Sequence, residues 1–182
     1  KTFDNGMICA SEQSVIVLDD IYESVKQEFM TRGAYFLNEQ EKHQVRDLIL
    51  VNGRLNPQIV GQTVAKLAQI SGVEQAKNSK LIIAEVEEVG TTEVLSYEKL
   101  SPILAMYRVK TFTEAVDKAE KLIEFGGLGH TSVLYTAPEN RDQIIEFENK
   151  LHTSRVLVNT PSSQGAIGDL YNFRLASFMV RV

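Results

Sequence analysis

The sequence predicts an α/β fold, an open and mostly parallel twisted sheet with helices on both faces. Two observations carry this expectation. Short apolar runs rich in β-branched residues alternate along the chain with segments of about ten or more residues in which apolar positions recur at helical spacing. The hydrophobic fraction of 43% and charged fraction of 24% suit a globular chain with enough Val, Ile, Leu and Phe for a core. Strand–helix–strand connections in such a fold are right-handed.

Each element follows from a local pattern. Residues 14–18 (Ser-Val-Ile-Val-Leu) read as a buried strand. Asp19-Asp20 is placed to cap the next helix, where Ile21, Tyr22, Val25 and Phe29 recur at helical spacing before Gly33 ends it. Residues 39–51 read as a second helix with Val45, Leu48 and Ile49 inward and Asn52-Gly53 as its stop. Asn56-Pro57 marks a turn. Residues 63–70 form a short helix carrying Val64, Leu67 and Ala68, ended by Ser71-Gly72.

Residues 80–84 read as another buried strand, and the acidic, turn-rich stretch 85–101 as a surface loop. Residues 102–108 form a strand whose first position is Pro102, where the missing N–H is tolerated. Thr111-Phe112-Thr113-Glu114 matches a capping box, and Ala115, Val116, Ala119, Leu122 and Ile123 form a helical stripe. Gly126-Gly127-Leu128-Gly129 stops that helix. Residues 130–135 read as a strand, 138–151 as a helix with Ile144, Ile145 and Phe147 apolar, and 155–158 as a strand. Residues 159–172 read as a long loop rich in Gly, Ser, Thr and Asn.

Bulk properties exclude several classes. The 182 residues suit one domain or a lobe of a larger protein. No apolar run approaches the ~18–20 residues of a membrane span, and residues 1–10 lack the layout of a secretory signal. The abrupt, Met-less start suggests a segment of a longer protein. A net charge of −5 argues against nucleic acid as the main partner. One cysteine excludes an internal disulfide, and with no CxxC pair and only His43, His130 and His152 a metal centre is not expected. A reducing cytoplasm fits this cysteine usage best.

Cys9 is the first candidate for chemistry. A deprotonated thiol performs acyl and carbonyl chemistry, and Cys9 follows the small, Gly-containing turn Asp4-Asn5-Gly6 just ahead of an apolar strand. The competing reading is a small buried hydrophobe. His130 is a candidate base for Cys9, or a strand-edge imidazole bonded to backbone. His43 and His152 read as surface residues. Glu98 is either a solvated carboxylate or an acceptor for two ribose hydroxyls. The glycines at 126–129 do not form a dinucleotide fingerprint, because they do not follow a strand, and those at 165 and 168 are weaker still. Ligands in open α/β sheets bind at the carboxyl ends of strands. Of the candidate loops, only 159–169 follows a strand, whereas 5–11 and 126–130 precede one.

Taken together, these segments resemble the aldehyde dehydrogenase superfamily, and most nearly the acylating aldehyde dehydrogenase part of the bacterial bifunctional aldehyde–alcohol dehydrogenases. The likeness covers about residues 1–176. Lys1 to Ser14 resembles the nucleophile segment, and Glu98-Lys99-Leu100-Ser101-Pro102 the superfamily's Glu-x-x-x-Pro element. Gly126 to Ser132 is similar to the Gly-rich His segment of the acylating subgroup, and Asn159 to Asn172 to its late active-site loop.

The resemblance implies that the chain is a single catalytic-domain fragment, 1–182, without the coenzyme-binding and alcohol dehydrogenase domains. It implies interconversion of acetyl-CoA and NADH with acetaldehyde, CoA and NAD through a thioester on Cys9. The Cys9 N–H would contribute to an oxyanion hole. His130 would assist proton transfer or CoA attack. Glu98, Leu100 and Asn159 would be the cofactor-binding residues, with Glu98 holding the nicotinamide ribose. NAD and coenzyme A are the implied cofactor and co-substrate, with no metal, and the parent is expected to form oligomers or filaments. The tail Ser177–Val182 departs from the family pattern. Two other readings stand beside this one: a nucleotide-independent Cys/His acyltransferase or hydrolase, and a non-catalytic assembly segment.

Overall fold

In the computed structural model, which describes residues 1–167, four parallel strands form the central sheet. They are β1 (Ser14–Leu18), β2 (Ala34–Phe36), β5 (Leu81–Glu85) and β6 (Ile103–Val109), in the order β1-β6-β5-β2. Strands β3 (Leu50–Val51) and β4 (Arg54–Leu55) form a hairpin, and β7 (Thr131–Leu134) pairs in parallel with β8 (Arg155–Val158). The helices are α1 (Tyr22–Thr31), α2 (Glu39–Ile49), α3 (Val64–Ser71), α4 (Phe112–Gly126), α5 (Arg141–Lys150) and α6 (Ser162–Ile167).

Sheets buried on both faces read as near-continuous apolar runs, and β5 and β6 do so up to Glu85 and Arg108 near their carboxyl ends. Their side chains alternate between two cores. Ile82, Ala84, Ile103, Ala105 and Tyr107 pack with Val45 and Ile49 of α2 and Leu67 of α3. Leu81, Ile83, Leu104 and Met106 pack on the other face with Val17 and with Tyr22 and Val25 of α1. A third cluster joins α4 and α5 to the β7–β8 pair through Val116, Phe147, Leu151, Leu134 and Val156. The α/β arrangement with helices on both faces is therefore the one expected, except that β7 and β8 form a separate two-stranded sheet.

Local chemistry explains most boundaries. Asn38 and Glu41 make a reciprocal capping box at α2. Thr63 and Thr111 cap α3 and α4, although Glu114 reaches back to the N–H of Lys110 instead of closing a box on Thr111. Gly72 ends α3 in the left-handed conformation at φ 77°. The first helix begins differently from expectation: Asp19–Ile21 is a 3-10 turn with no side-chain cap.

Four further expectations are corrected. The second helix stops at Ile49, and Asn52-Gly53 (φ 52° and 72°) is a two-residue hairpin turn with both residues left-handed, a preference of Asn-Gly pairs. Strand β2 was not foreseen, being three residues long. The 85–101 stretch is not a surface loop. Its Glu93, Leu95, Ser96, Lys99 and Ser101 are buried, with Glu93 held by Arg46 Nε at 3.0 Å and Tyr97 packed edge-on against Phe125 at 4.7 Å. The 159–172 loop contains α6. Residues 168–172 and the tail Ser177–Val182 lie outside the described residues.

Gly6 and Gly53 share nearly the same left-handed φ, 70° and 72°. A Cβ on Gly53 meets nothing within 4 Å, whereas one on Gly6 falls 2.6 Å from the Ser101 carbonyl oxygen. Gly53→Ala should therefore cost about 1–2 kcal/mol of backbone strain, and Gly6→Ala a further ~1–3 kcal/mol for the forced displacement of backbone. Chemical denaturation of the two variants measures the difference, and equal losses would contradict it.

Candidate active site

Cys9 sits at the first corner of a β-turn closed by the Ser11 N–H donating to Ile8 O at 2.8 Å. Ala10 and Ser11 are buried, and Cys9 is exposed. In this chain the cysteine is therefore not a buried hydrophobe. The closing bond does not use the Cys9 N–H, which has no acceptor among the described residues. Upstream, Asp4, Asn5 and Gly6 are three successive left-handed residues at φ 49°, 48° and 70°. Asn5 Nδ2 donates to Gly61 O at 3.2 Å, anchoring the turn to the segment before α3.

The segment carrying Glu98 lies directly against this turn. Glu98 is exposed, while Lys99 and Ser101 are fully buried. Lys99 Nζ donates to the carbonyls of Leu95 at 2.6 Å and Tyr97 at 2.8 Å, tying down the chain just before Glu98. Burial, reinforced by the charge of Lys1, holds the Lys99 pKa well below the usual lysine range, against the opposing pull of Glu93 and Glu98. Leu100 is left-handed at φ 44°, and its carbonyl accepts the Gly61 N–H at 2.8 Å. A bulky residue in that conformation is a real strain. Its side chain is half-buried. Glu98 makes no hydrogen bond or ion pair among the described residues, so both carboxylate oxygens are free to accept.

His130 is exposed and immediately precedes β7. Partial desolvation lowers its pKa, the Arg155 charge lowers it further, and Glu98 acts in the opposite sense. The coupling brings His130 and Glu98 into one electrostatic neighbourhood although they are 32 positions apart. The expected backbone-bonded imidazole is not what holds this strand: His130 contributes its own carbonyl, accepting from Arg155 N–H at 3.2 Å. Asn159 is left-handed at φ 52°. Its Oδ1 accepts from Thr136 N–H at 3.0 Å and its Nδ2 donates to Thr136 O at 2.9 Å. That amide fixes the exit of β8 beside that of β7.

The two loops that matter most, 5–11 and 98–102, lie at the amino ends of β1 and β6. These are parallel neighbours, with Ser14 opposite Ala105, so their entry loops are adjacent. The carboxyl-end rule for open sheets does not locate this site. Sequence reasoning also missed Glu12 and Gln13. Glu12 Oε1 accepts the Ser162 N–H at the start of α6 at 2.9 Å. The Gln13 amide bridges Ser11 and Lys99. The one signal available was a polar pair set immediately before an apolar strand. Ser11 and Ser101 carry buried hydroxyls without a hydrogen-bond partner among the described residues, and both belong to these loops. No cluster of three or more metal-ligating side chains occurs among the described residues, and none of their helices is long and apolar enough to cross a membrane.

No family model matches the chain. It is 54% identical over 177 residues to the bifunctional aldehyde-alcohol dehydrogenase of Escherichia coli, covering 97% of this chain and 20% of that protein. It is 50% identical over 176 residues to the aldehyde-alcohol dehydrogenase of Clostridium acetobutylicum, covering 96% and 20%. The chain thus spans about a fifth of the length of these relatives. Among solved structures it is similar to an acetylating aldehyde dehydrogenase from Geobacillus thermoglucosidasius, with a TM-score of 0.91 and 44% identity over 97% of this chain and 38% of that one.

The electrostatics fix the sign of a titration. His130 should lose its proton at a pH below the ordinary histidine midpoint. Glu98→Gln should move that midpoint further down, and Arg155→Gln should move it up. NMR titration of the ring protons measures all three, and an upward move in Glu98→Gln would contradict the arrangement.

Proposed function

The chain belongs to the acylating aldehyde dehydrogenases of the aldehyde dehydrogenase superfamily, matching the aldehyde dehydrogenase region of the bifunctional enzymes, and from that premise we propose that it carries the nucleophile of a CoA-dependent acetaldehyde dehydrogenase. The observation that supports this most is the exposed Cys9 on a turn packed directly against the Glu98 loop. In this reading the Cys9 thiolate attacks the carbonyl carbon of acetyl-CoA. A new C–S bond forms to Cys9 as the bond to the CoA sulfur breaks, and CoA leaves to take up a proton. The free Cys9 N–H donates to the oxygen that gains charge during attack.

Glu98 fits a nicotinamide cofactor on an observation of this chain: its carboxylate is exposed and unengaged, and a carboxylate accepts both hydroxyls of a ribose. The left-handed corner at Leu100 and the loop opened by Asn159 shape the same edge of the site. When bound, NADH supplies the hydride that carries the acyl group to the aldehyde. In the reverse direction, the depressed pKa of His130 keeps its imidazole neutral near pH 7, able to accept the proton of an incoming CoA thiol. Assignment of NAD as the cofactor, assembly of the parent into oligomers and a place in the reducing cytoplasm belong to the same reading. So does treatment of this chain as one catalytic unit.

In the full-length protein, Cys9→Ala should lower NADH-dependent formation of acetaldehyde from acetyl-CoA by about a thousandfold or more. Coupled NADH oxidation measures it. Retention of full activity would overturn the reading, and sustained CoA release without NADH would favour the nucleotide-independent alternative.

A further inference from the structure

We propose that Gln13 is a positioning residue that sets Glu98 relative to Cys9. The inference rests on the reading of Glu98 as the ribose ligand. Gln13 lies between the nucleophile turn and β1, and its main-chain carbonyl accepts the Ala105 N–H at 3.2 Å, tying it to β6. Its side-chain amide then spans the two loops. Nε2 donates to Ser11 O at 3.2 Å, two residues after Cys9. Oε1 accepts the Lys99 N–H at 3.1 Å, one residue after Glu98, and also Lys1 Nζ at 3.1 Å.

The chemistry requires an amide. One planar group must donate to one loop and accept from the other, and the Gln amide does both without a charge. The bond to Lys99 also lies next to the strained residue. Leu100, at φ 44°, is fixed on one side by Gln13 through the Lys99 N–H and on the other by the Gly61 N–H on its own carbonyl. Strained conformations persist only where surrounding contacts over-determine them. Loss of the Gln13 bond releases one of the two restraints, and the Glu98 carboxylate shifts from the place that the nucleophile turn sets for it. Glu12 performs a parallel task toward α6 through Ser162, so of these two side chains Gln13 is the one that bonds the Glu98 loop.

The test is a double-mutant cycle in the full-length protein, with acetyl-CoA and NADH as the varied substrates. Gln13→Met, of nearly equal volume, should raise the KM for NADH about tenfold and leave the KM for acetyl-CoA within about twofold. In a Glu98→Ala background it should raise the KM for NADH no further, because Gln13 acts through Glu98. Equal rises in both KM values, effects that multiply in the double variant, or no effect of Gln13→Met would each overturn the proposal. Gln13→Glu, the second arm should Gln13→Met not fold, keeps an acceptor for the Lys99 N–H but gives up the donor to Ser11 O. It should raise the KM for NADH by about threefold or more and leave the KM for acetyl-CoA within about twofold. An unchanged KM for NADH there would overturn the proposal as well. If Glu98→Ala itself leaves the KM for NADH unchanged, the ribose reading fails, and the proposal falls with it for that separate reason.

Discussion

The backbone of Gly6 lies so close to the Ser101 carbonyl that a single methyl group between them would sit 2.6 Å from the oxygen. This contact joins the turn that presents Cys9 to the loop that presents Glu98, and the rest of the site depends on it. It demands a glycine for space and a left-handed residue for direction, and the two neighbours Asp4 and Asn5 share that conformation. Asn and Asp tolerate it better than most side chains, because their short polar groups bond locally. Gly61 completes the junction by accepting from Asn5 and donating to Leu100. The parallel pairing of β1 with β6 brings the two loops near each other, and the glycine contact sets their final separation.

Energetically the site differs from the sheet beneath it. β5 and β6 are continuous apolar strands buried on both faces, with their polar groups consumed by the ladder. At the amino ends of β1 and β6 the chain holds a left-handed leucine, a fully buried lysine whose Nζ is spent on two carbonyls, and two buried hydroxyls without partners among the described residues. Each carries a free-energy cost that a purely structural loop has no reason to bear. Their concentration around Cys9 and Glu98 is what a rigid, preorganised reaction site requires, since small displacements of reacting groups lower rates steeply.

The fold was legible where one local pattern decided it. The apolar run at 14–18 and the Arg155–Val158 strand match the structure at both ends, and the cap at Thr111 follows from side-chain chemistry alone. It was not legible where a residue type serves two conformations. Asn52-Gly53 stops a helix or turns a hairpin equally well, and here the pairing of Leu50 with Leu55 decides. The acidic stretch at 85–101 looked solvated because its charges are numerous. Arg46, far away in sequence, neutralises Glu93, and the Lys99 side chain turns inward onto main-chain carbonyls. The site shows the same division. Cys9, Glu98 and His130 were singled out by chemical type and order, whereas Gln13 and Gly61 act through contacts across 86 and 39 positions that no local pattern encodes.

An exposed cysteine on a strained turn is a nucleophile only if substrate becomes attached to it. The direct measurement is peptide-resolved mass spectrometry of the full-length protein after exposure to acetyl-CoA in the absence of NADH. The account predicts one acetyl group on the peptide containing Cys9, removed by added CoA. An unmodified Cys9 in protein that goes on to form acetaldehyde when NADH is supplied, or an acetyl group held on a different residue, would contradict it.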